Sequence, residues 1–201
     1  MPYKPGEREY RSILDSFHAV ELDDGGEPSY MVEGYATTFD VPYDFGGDGA
    51  KECISSRALD GADMSDVIFQ INHEGAPLAR LRNKSLELIR DAHGLLIRAR
   101  LNGSQAARDA YEAIKSGLID RMSWGFTVPD DGWDWDRSTR TATITRILKV
   151  YDVSAVSFPA NEGTEIHARS YLDGVIEAEK QELLRRDTEA RRRAALRLRL
   201  L

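Results

Sequence analysis

The sequence of 201 residues contains a single cysteine, Cys53. An internal disulfide is therefore excluded, which suits a reducing compartment. The sequence also lacks any run close to the roughly 18 apolar residues that a membrane span needs, and its first residues are polar rather than those of a secretory signal. We therefore expect a soluble protein of the cytoplasm with no membrane partner.

An excess of basic charge is missing as well. The net charge is −7, which argues against a domain that binds nucleic acid by neutralising its phosphates. The charge is uneven, because residues 175–201 contain eight Lys or Arg and five Asp or Glu. Hydrophobic residues make up 41% of the chain, enough to build a core. We expect one acidic folded domain that carries a basic tail.

Two common hydrolase motifs are absent. The chain has no Gly-x-Ser-x-Gly nucleophile elbow. His73-Glu74 resembles the start of a zinc-binding His-Glu-x-x-His helix, but Pro77 stands where the second histidine would be, and proline also disfavours that helix. The acidic cluster that follows Pro129 lacks the spacing of a calcium loop and is interpreted as a solvated hairpin tip; it consists of Asp130, Asp131, Asp134 and Asp136. No metal and no cofactor are expected.

Two further residue types invite functional interpretations that we do not favour. Cys53 lies in a polar segment with no histidine evident as a partner, so we interpret it as a structural thiol. Trp133 and Trp135 could stack on nucleic-acid bases, but the aspartates around them would repel phosphate.

The chain divides into a polar leader (1–28), a main domain (29–170) and a charged tail (171–201). Glu, Lys, Arg, Leu and Ala dominate the tail and predict a helix. In the main domain, Ser104 is a candidate N-cap for a helix that ends at Gly117. The fold class is α+β, with mainly antiparallel strands predicted by β-prone runs; these are 29–39, 67–71, 86–90, 95–101, 122–128, 141–148 and 150–158.

Three residues of the main domain could form the machinery of serine hydrolysis. That chemistry needs a hydroxyl, an imidazole that takes its proton and an acid that orients the imidazole. Of the four histidines, only His73 directly follows an apolar strand of the buried type. Ser123 precedes Trp124 and Gly125 in a strand, where a glycine permits close approach of another group. Asp152 is an acid within an apolar strand, and if buried it needs a paired donor.

Ordinary structural roles fit the same three residues. His73 could hydrogen-bond only its own loop, Ser123 could be solvated or bonded to the backbone, and Asp152 could face water on an edge strand. The residues alone leave both interpretations open.

Taken in order, several segments of the chain resemble the prohead proteases of tailed phages of the HK97 type. The resemblance covers about residues 29–165 and depends on the joint order of its segments more than on any one of them. These are Val32-Glu-Gly-Tyr-Ala36, Ile71-Asn-His-Glu74, Pro77-Leu-Ala-Arg80, residues 91–95, the helix ending at Gly117, Ser123-Trp-Gly-Phe126 and Asp152-Val-Ser-Ala-Val-Ser-Phe-Pro-Ala-Asn161.

The resemblance implies a serine endopeptidase with a β-barrel and flanking helices like that of the herpesvirus assemblins. It implies His73 as the base, Ser123 as the nucleophile and Asp152 as the third member, although relatives often carry glutamate at the last position. The implied partners are the major capsid protein with its scaffold region, the protease itself as a substrate, and further copies in a homo-oligomer.

The same resemblance implies capsid maturation inside the assembling prohead, in the host cytoplasm. The charged tail would then dock the protease or be removed by self-cleavage. A different class of function also fits: a capsid assembly or scaffolding protein that keeps the protease fold without activity. Comparison of capsid-protein cleavage by the native chain and a Ser123→Ala variant distinguishes the two.

Overall fold

The structure is a computed structural model that describes residues 7–13, 17–20, 29–44 and 49–157. It also describes helical residues at positions 177, 180–182, 184–186, 188 and 189. The strands are β1 (Arg8–Ile13), β2 (His18–Val20), β3 (Met31–Thr38), β4 (Tyr43–Asp44), β5 (Lys51–Ile54), β6 (Ile68–Ile71), β7 (Glu74–Arg80), β8 (Leu86–Arg90), β9 (Gly94–Arg100), β10 (Arg121–Thr127), β11 (Trp133–Asp136), β12 (Thr141–Ile144) and β13 (Lys149–Val156). Helix α1 spans Gln105–Lys115, and a short 3-10 helix spans Leu81–Asn83.

These strands form three sheets. The five-stranded sheet has the order β1-β10-β13-β6-β7, and the two four-stranded sheets have the orders β2-β3-β9-β8 and β11-β12-β5-β4. Most pairs are antiparallel, but β13 pairs with β6, and β12 with β5, in parallel. The prediction of a mainly β, α+β chain is confirmed. The expected barrel is not found, because the strand pairings of the described residues make three open sheets.

Local sequence signals explain the helix and the hairpin beside it. Ser104 caps α1 by accepting a hydrogen bond from the backbone N–H of Ala107 at 3.1 Å. Gly117 ends the helical region with φ of 74°, a conformation that glycine adopts at little cost. Strands β8 and β9 pair as predicted. Both predictions are confirmed.

The polar leader contains structure that its composition does not indicate. Strands β1 and β2 both lie within residues 1–28, so this polar segment contributes strands to the fold. The division into three parts otherwise stays a prediction. In the tail, the described residues between 177 and 189 are helical, and Glu182 pairs with Arg185 and Arg186, as helical spacing allows. No helix within the described residues has both the length and the apolar character to cross a membrane.

One main core lies between the sheets and α1. The five-stranded sheet buries Trp124 and Phe126 of β10, Val153 of β13 and Phe69 of β6 completely. Because side chains alternate across a strand, the neighbouring residues of β10 and β13 project from the opposite face. That opposite face carries the candidate site.

Candidate active site

The candidate site occupies one face of the five-stranded sheet, where β10 and β13 lie side by side. Ser123 pairs with Ser154, and Gly125 pairs with Asp152. Residues directly opposite each other in a sheet project from the same face. Strand pairing alone therefore brings the serine and the aspartate of the sequence prediction to one surface.

A tight turn between β6 and β7 brings His73 to this surface. Asn72 and His73 are the two residues between the strands, and both have positive φ angles, 52° and 59°. This is the pattern of a type I′ hairpin turn. The turn is held by the Asn72 side chain, which accepts a hydrogen bond from the Ser157 N–H at 3.0 Å, and by Gln70, whose amide donates to the Gly75 carbonyl at 2.7 Å. A histidine in this uncommon conformation is typical of a functional position.

The three predicted residues form one hydrogen-bonded chain. The Nε2 atom of His73 lies 2.7 Å from Ser123 Oγ, and its Nδ1 atom lies 2.5 Å from Asp152 Oδ1. A carboxylate only accepts, so Nδ1 carries the hydrogen and Nε2 is left to accept from the serine hydroxyl. This is the arrangement in which an imidazole can take a proton from serine.

Asp152 is completely buried and still fully paired. Its Oδ1 atom also accepts a hydrogen bond from Ser154 Oγ at 2.9 Å, and its Oδ2 atom accepts one from the guanidinium of Arg8. Three donors thus compensate for the burial of the charge. The alternative of a solvated edge-strand acid is wrong for this residue.

Sequence reasoning missed two of those donors, Arg8 and Ser154. Ser154 lies two residues after Asp152, so the period of a strand would have placed it on the same face. Arg8 had no comparable signal, because it lies in a segment of polar residues without clear alternation.

The imidazole of His73 is largely buried, and both the carboxylate of Asp152 and the cation of Arg8 lie near it. Its side chain is 14% exposed, and its ring packs against that of Tyr10 with the ring centres 4.2 Å apart. Burial, and secondly the positive charge of Arg8, lower the pKa of His73 to about 4. His73 is therefore neutral at neutral pH, as a general base must be.

We expect an NMR titration of the native protein to show His73 protonating near pH 4. The unfolded chain takes up this proton near pH 6.5, so the free energy of unfolding should decrease as the pH falls between these values. The His73→Gln variant assigns the signal, and the urea-unfolded protein supplies the reference. A native pKa near 6.5 would contradict the burial of the ring.

Gly125 makes room for this arrangement. A Cβ atom at this position would lie 2.6 Å from Asp152 Oδ2, 2.8 Å from Arg8 Nε and 2.9 Å from Tyr10 Cε1. All three distances are shorter than real Cβ contacts. The sequence predicts close approach of another group to this glycine, and the approaching groups are the side chains that surround the carboxylate.

The other candidates do not join the site. His18 is exposed on β2, and His93 lies in the exposed turn between β8 and β9; His167 lies outside the described residues. Cys53 is buried on β5, and burial raises the pKa of its thiol, which agrees with a structural role.

The acidic cluster forms part of a strand and holds neighbouring side chains. Trp133–Asp136 is strand β11, which pairs with β12, so the interpretation of this whole segment as a hairpin tip is wrong. Asp131 pairs with Arg146, and Asp136 accepts hydrogen bonds from Ser138 and Thr139. In the described part of the chain, no group of three or more His, Cys, Asp or Glu is placed to hold a metal ion.

Comparisons with known proteins point to one family. The caudovirus prohead serine protease family matches residues 17–175. The prohead protease of Enterobacteria phage HK97 is 30% identical to the chain over 162 residues, which are 80% of this chain and 69% of the phage protein. No solved structure matches.

Proposed function

The chain belongs to the caudovirus prohead serine protease family, and we propose that it is an endopeptidase in which Ser123, His73 and Asp152 are the catalytic residues. The observation that carries the proposal is the continuous hydrogen-bonded chain from Ser123 Oγ through both ring nitrogens of His73 to Asp152. A serine, a histidine and an acid separated widely in sequence meet there in the order that acyl transfer requires.

In the proposed reaction, Ser123 Oγ attacks the carbonyl carbon of a scissile peptide bond while its proton passes to His73 Nε2. The C–N bond then breaks, and His73 returns the proton to the leaving amine. Water, activated by the same imidazole, cleaves the acyl-enzyme ester and restores the Ser123 hydroxyl. Asp152 keeps the Nδ1–H tautomer in place and stabilises the imidazolium that forms in each step.

The proposed substrates are the scaffold region of the major capsid protein and the protease itself. The family name and the matching HK97 protein support this assignment, because both are described as prohead proteases. The proposed place of action is the interior of the assembling prohead in the host, where several copies of the chain would assemble. The basic tail would dock the protease there or be removed by self-cleavage.

The decisive experiment expresses the chain together with the major capsid protein of the same phage. We expect the native chain and a His93→Gln control to shorten the capsid protein, and His73→Gln to leave it at full length. Mass spectrometry of the new termini, for both the capsid protein and the protease, identifies the cleaved bonds. Equal cleavage by native and His73→Gln chains would reject the catalytic assignment, and no cleavage by any of them would favour the non-enzymatic assembly protein.

A further inference from the structure

Strand β1 contributes to the site although it lies before the segment that matches the family. That segment begins at residue 17, whereas β1 spans Arg8–Ile13 and pairs with β10 from Arg8 opposite Thr127 to Ile13 opposite Met122. In this register Ser12 lies opposite Ser123, and Tyr10 lies opposite Gly125. The alternate residues of β1, including Arg8, therefore project from the face that carries the candidate site.

We propose that Arg8 is a positioning residue of the active site, which fixes the carboxylate of Asp152 toward His73. The inference rests on the proposed function, since it assigns a role within the same site.

The two oxygens of the Asp152 carboxylate have different hydrogen-bond partners. His73 and Ser154 both use Oδ1, and Arg8 uses Oδ2. With a donor on each oxygen, the carboxylate cannot rotate without breaking a charge-assisted hydrogen bond. Arg8 holds Oδ2, so the orientation of the carboxylate depends on this contact.

The guanidinium of Arg8 is itself held in place. Its central carbon lies 5.2 Å from the ring centre of Tyr10 and 4.7 Å from that of Tyr151, within the range of cation–π attraction. The absence of a Cβ at Gly125 leaves the space that the guanidinium crosses. Within the described residues, Arg8 Nε is buried with no hydrogen-bond partner, and the guanidinium contacts the carboxylate and the two rings.

The positive charge of Arg8 also acts on His73. The titratable and charged groups packed around His73 come from three strands: Asp152 on β13, Tyr10 and Arg8 on β1, and Ser123 on β10. Glu74, the first residue of β7, directly follows His73 in the chain. Arg8 is the cation among them, and it lowers the pKa of His73 in addition to burial. Its loss should therefore raise the pKa of His73 while it releases the carboxylate.

The opposite face of β1 allows this role to be tested in a folded protein. Arg11 is buried there and binds Glu52 at 2.5 Å and Glu9 at 2.6 Å. The contact between Arg11 and Glu52 anchors β1 to β5 without involving Arg8. A variant at position 8 should thus keep its strand, and Glu9→Gln serves as a matched variant that removes a charge from the Arg11 ion-pair cluster on the other face.

The test compares Arg8→Gln, Arg8→Lys and Glu9→Gln. The rate of covalent labelling of Ser123 by a fluorophosphonate probe is measured against pH, and the His73 titration is followed by NMR. We expect Arg8→Gln to lower the labelling rate about 10- to 100-fold, the size of effect seen when a partner that orients a metal ligand is lost. We also expect it to raise the pH at which the labelling rate and the His73 signal change. Arg8→Lys should restore most of the rate and the native titration, and Glu9→Gln should leave the titration unchanged.

Each outcome decides one question. If Arg8→Gln labels and titrates like the native protein, or if Glu9→Gln shifts the titration equally, the positioning role is rejected while the proposed function stands. If the native protein is not labelled at Ser123, the proposed function fails. The His73 titration still decides in that case whether Arg8 controls the imidazole.

Discussion

Replacement of Ser123 by alanine is expected to reduce cleavage of the capsid protein by about 10⁶-fold, a loss typical of a missing catalytic nucleophile. Without the hydroxyl no acyl-enzyme can form, and His73 has no proton to accept from the protein. The fold should be retained, because the change removes one buried oxygen from a strand that pairs on both sides. The measurement is a time course of purified protease with capsid protein, resolved by gel.

The double variant Ser123→Ala with His73→Gln should be no slower than either single variant, since residues that act as one unit give non-additive losses. Ser116→Ala, at the exposed end of α1, is the control for loss of a serine elsewhere and should cleave normally. Cleavage by Ser123→Ala at a rate within tenfold of native would assign the nucleophile to another residue.

Replacement of Asp152 by asparagine is expected to lower the cleavage rate by about 10⁴-fold, the size of effect seen where an amide replaces the acid of a triad. The site presents donors to both oxygens, from His73 and Ser154 on one side and from Arg8 on the other. An amide has only one oxygen. If its NH₂ faces His73, the imidazole must shift its hydrogen to Nε2, and if it faces Arg8, two donors oppose each other in a buried place.

Ser154→Ala is the matched control for this prediction. It removes one neutral donor from Oδ1 and leaves the His73 and Arg8 contacts, so we expect about a tenfold loss or less. The same purified assay serves, with circular dichroism to verify the fold. An Asp152→Asn chain that cleaves as well as Ser154→Ala would show that the acid does not control the tautomer.

The residues that sequence reasoning found share a clear local signal. His73 follows a short apolar strand, and Asp152 interrupts another. The strand assignment makes them candidates, and the family resemblance favours the catalytic role over the structural one. The helix from Ser104 to Gly117 likewise follows from capping and spacing. The geometric relation between the three site residues depends on the register of β6, β10 and β13, which the family resemblance implies and local periodicity does not.

What sequence reasoning missed involves charges that are buried in pairs. In β1, Glu9 and Arg11 are 2% and 4% exposed because Arg11 binds both Glu9 and Glu52. From its sequence, a strand of charged residues is interpreted as a solvated leader, since charged side chains are seldom buried unless they are paired. Glu52 lies 41 residues after Arg11 in the chain, and no local pattern identifies a partner at that distance. Arg8 was overlooked for the same reason.

The pairing of β6 with β13, and of β1 with β10, has a consequence for how the protein acquires its activity during synthesis. Both pairs join segments more than 70 residues apart in the chain, and contacts of such long range form late and slowly. A nascent chain that already contains His73 and Ser123 still lacks Asp152 and the strand that holds it. The proposed catalytic competence thus arises only once β13 has joined the sheet between β10 and β6.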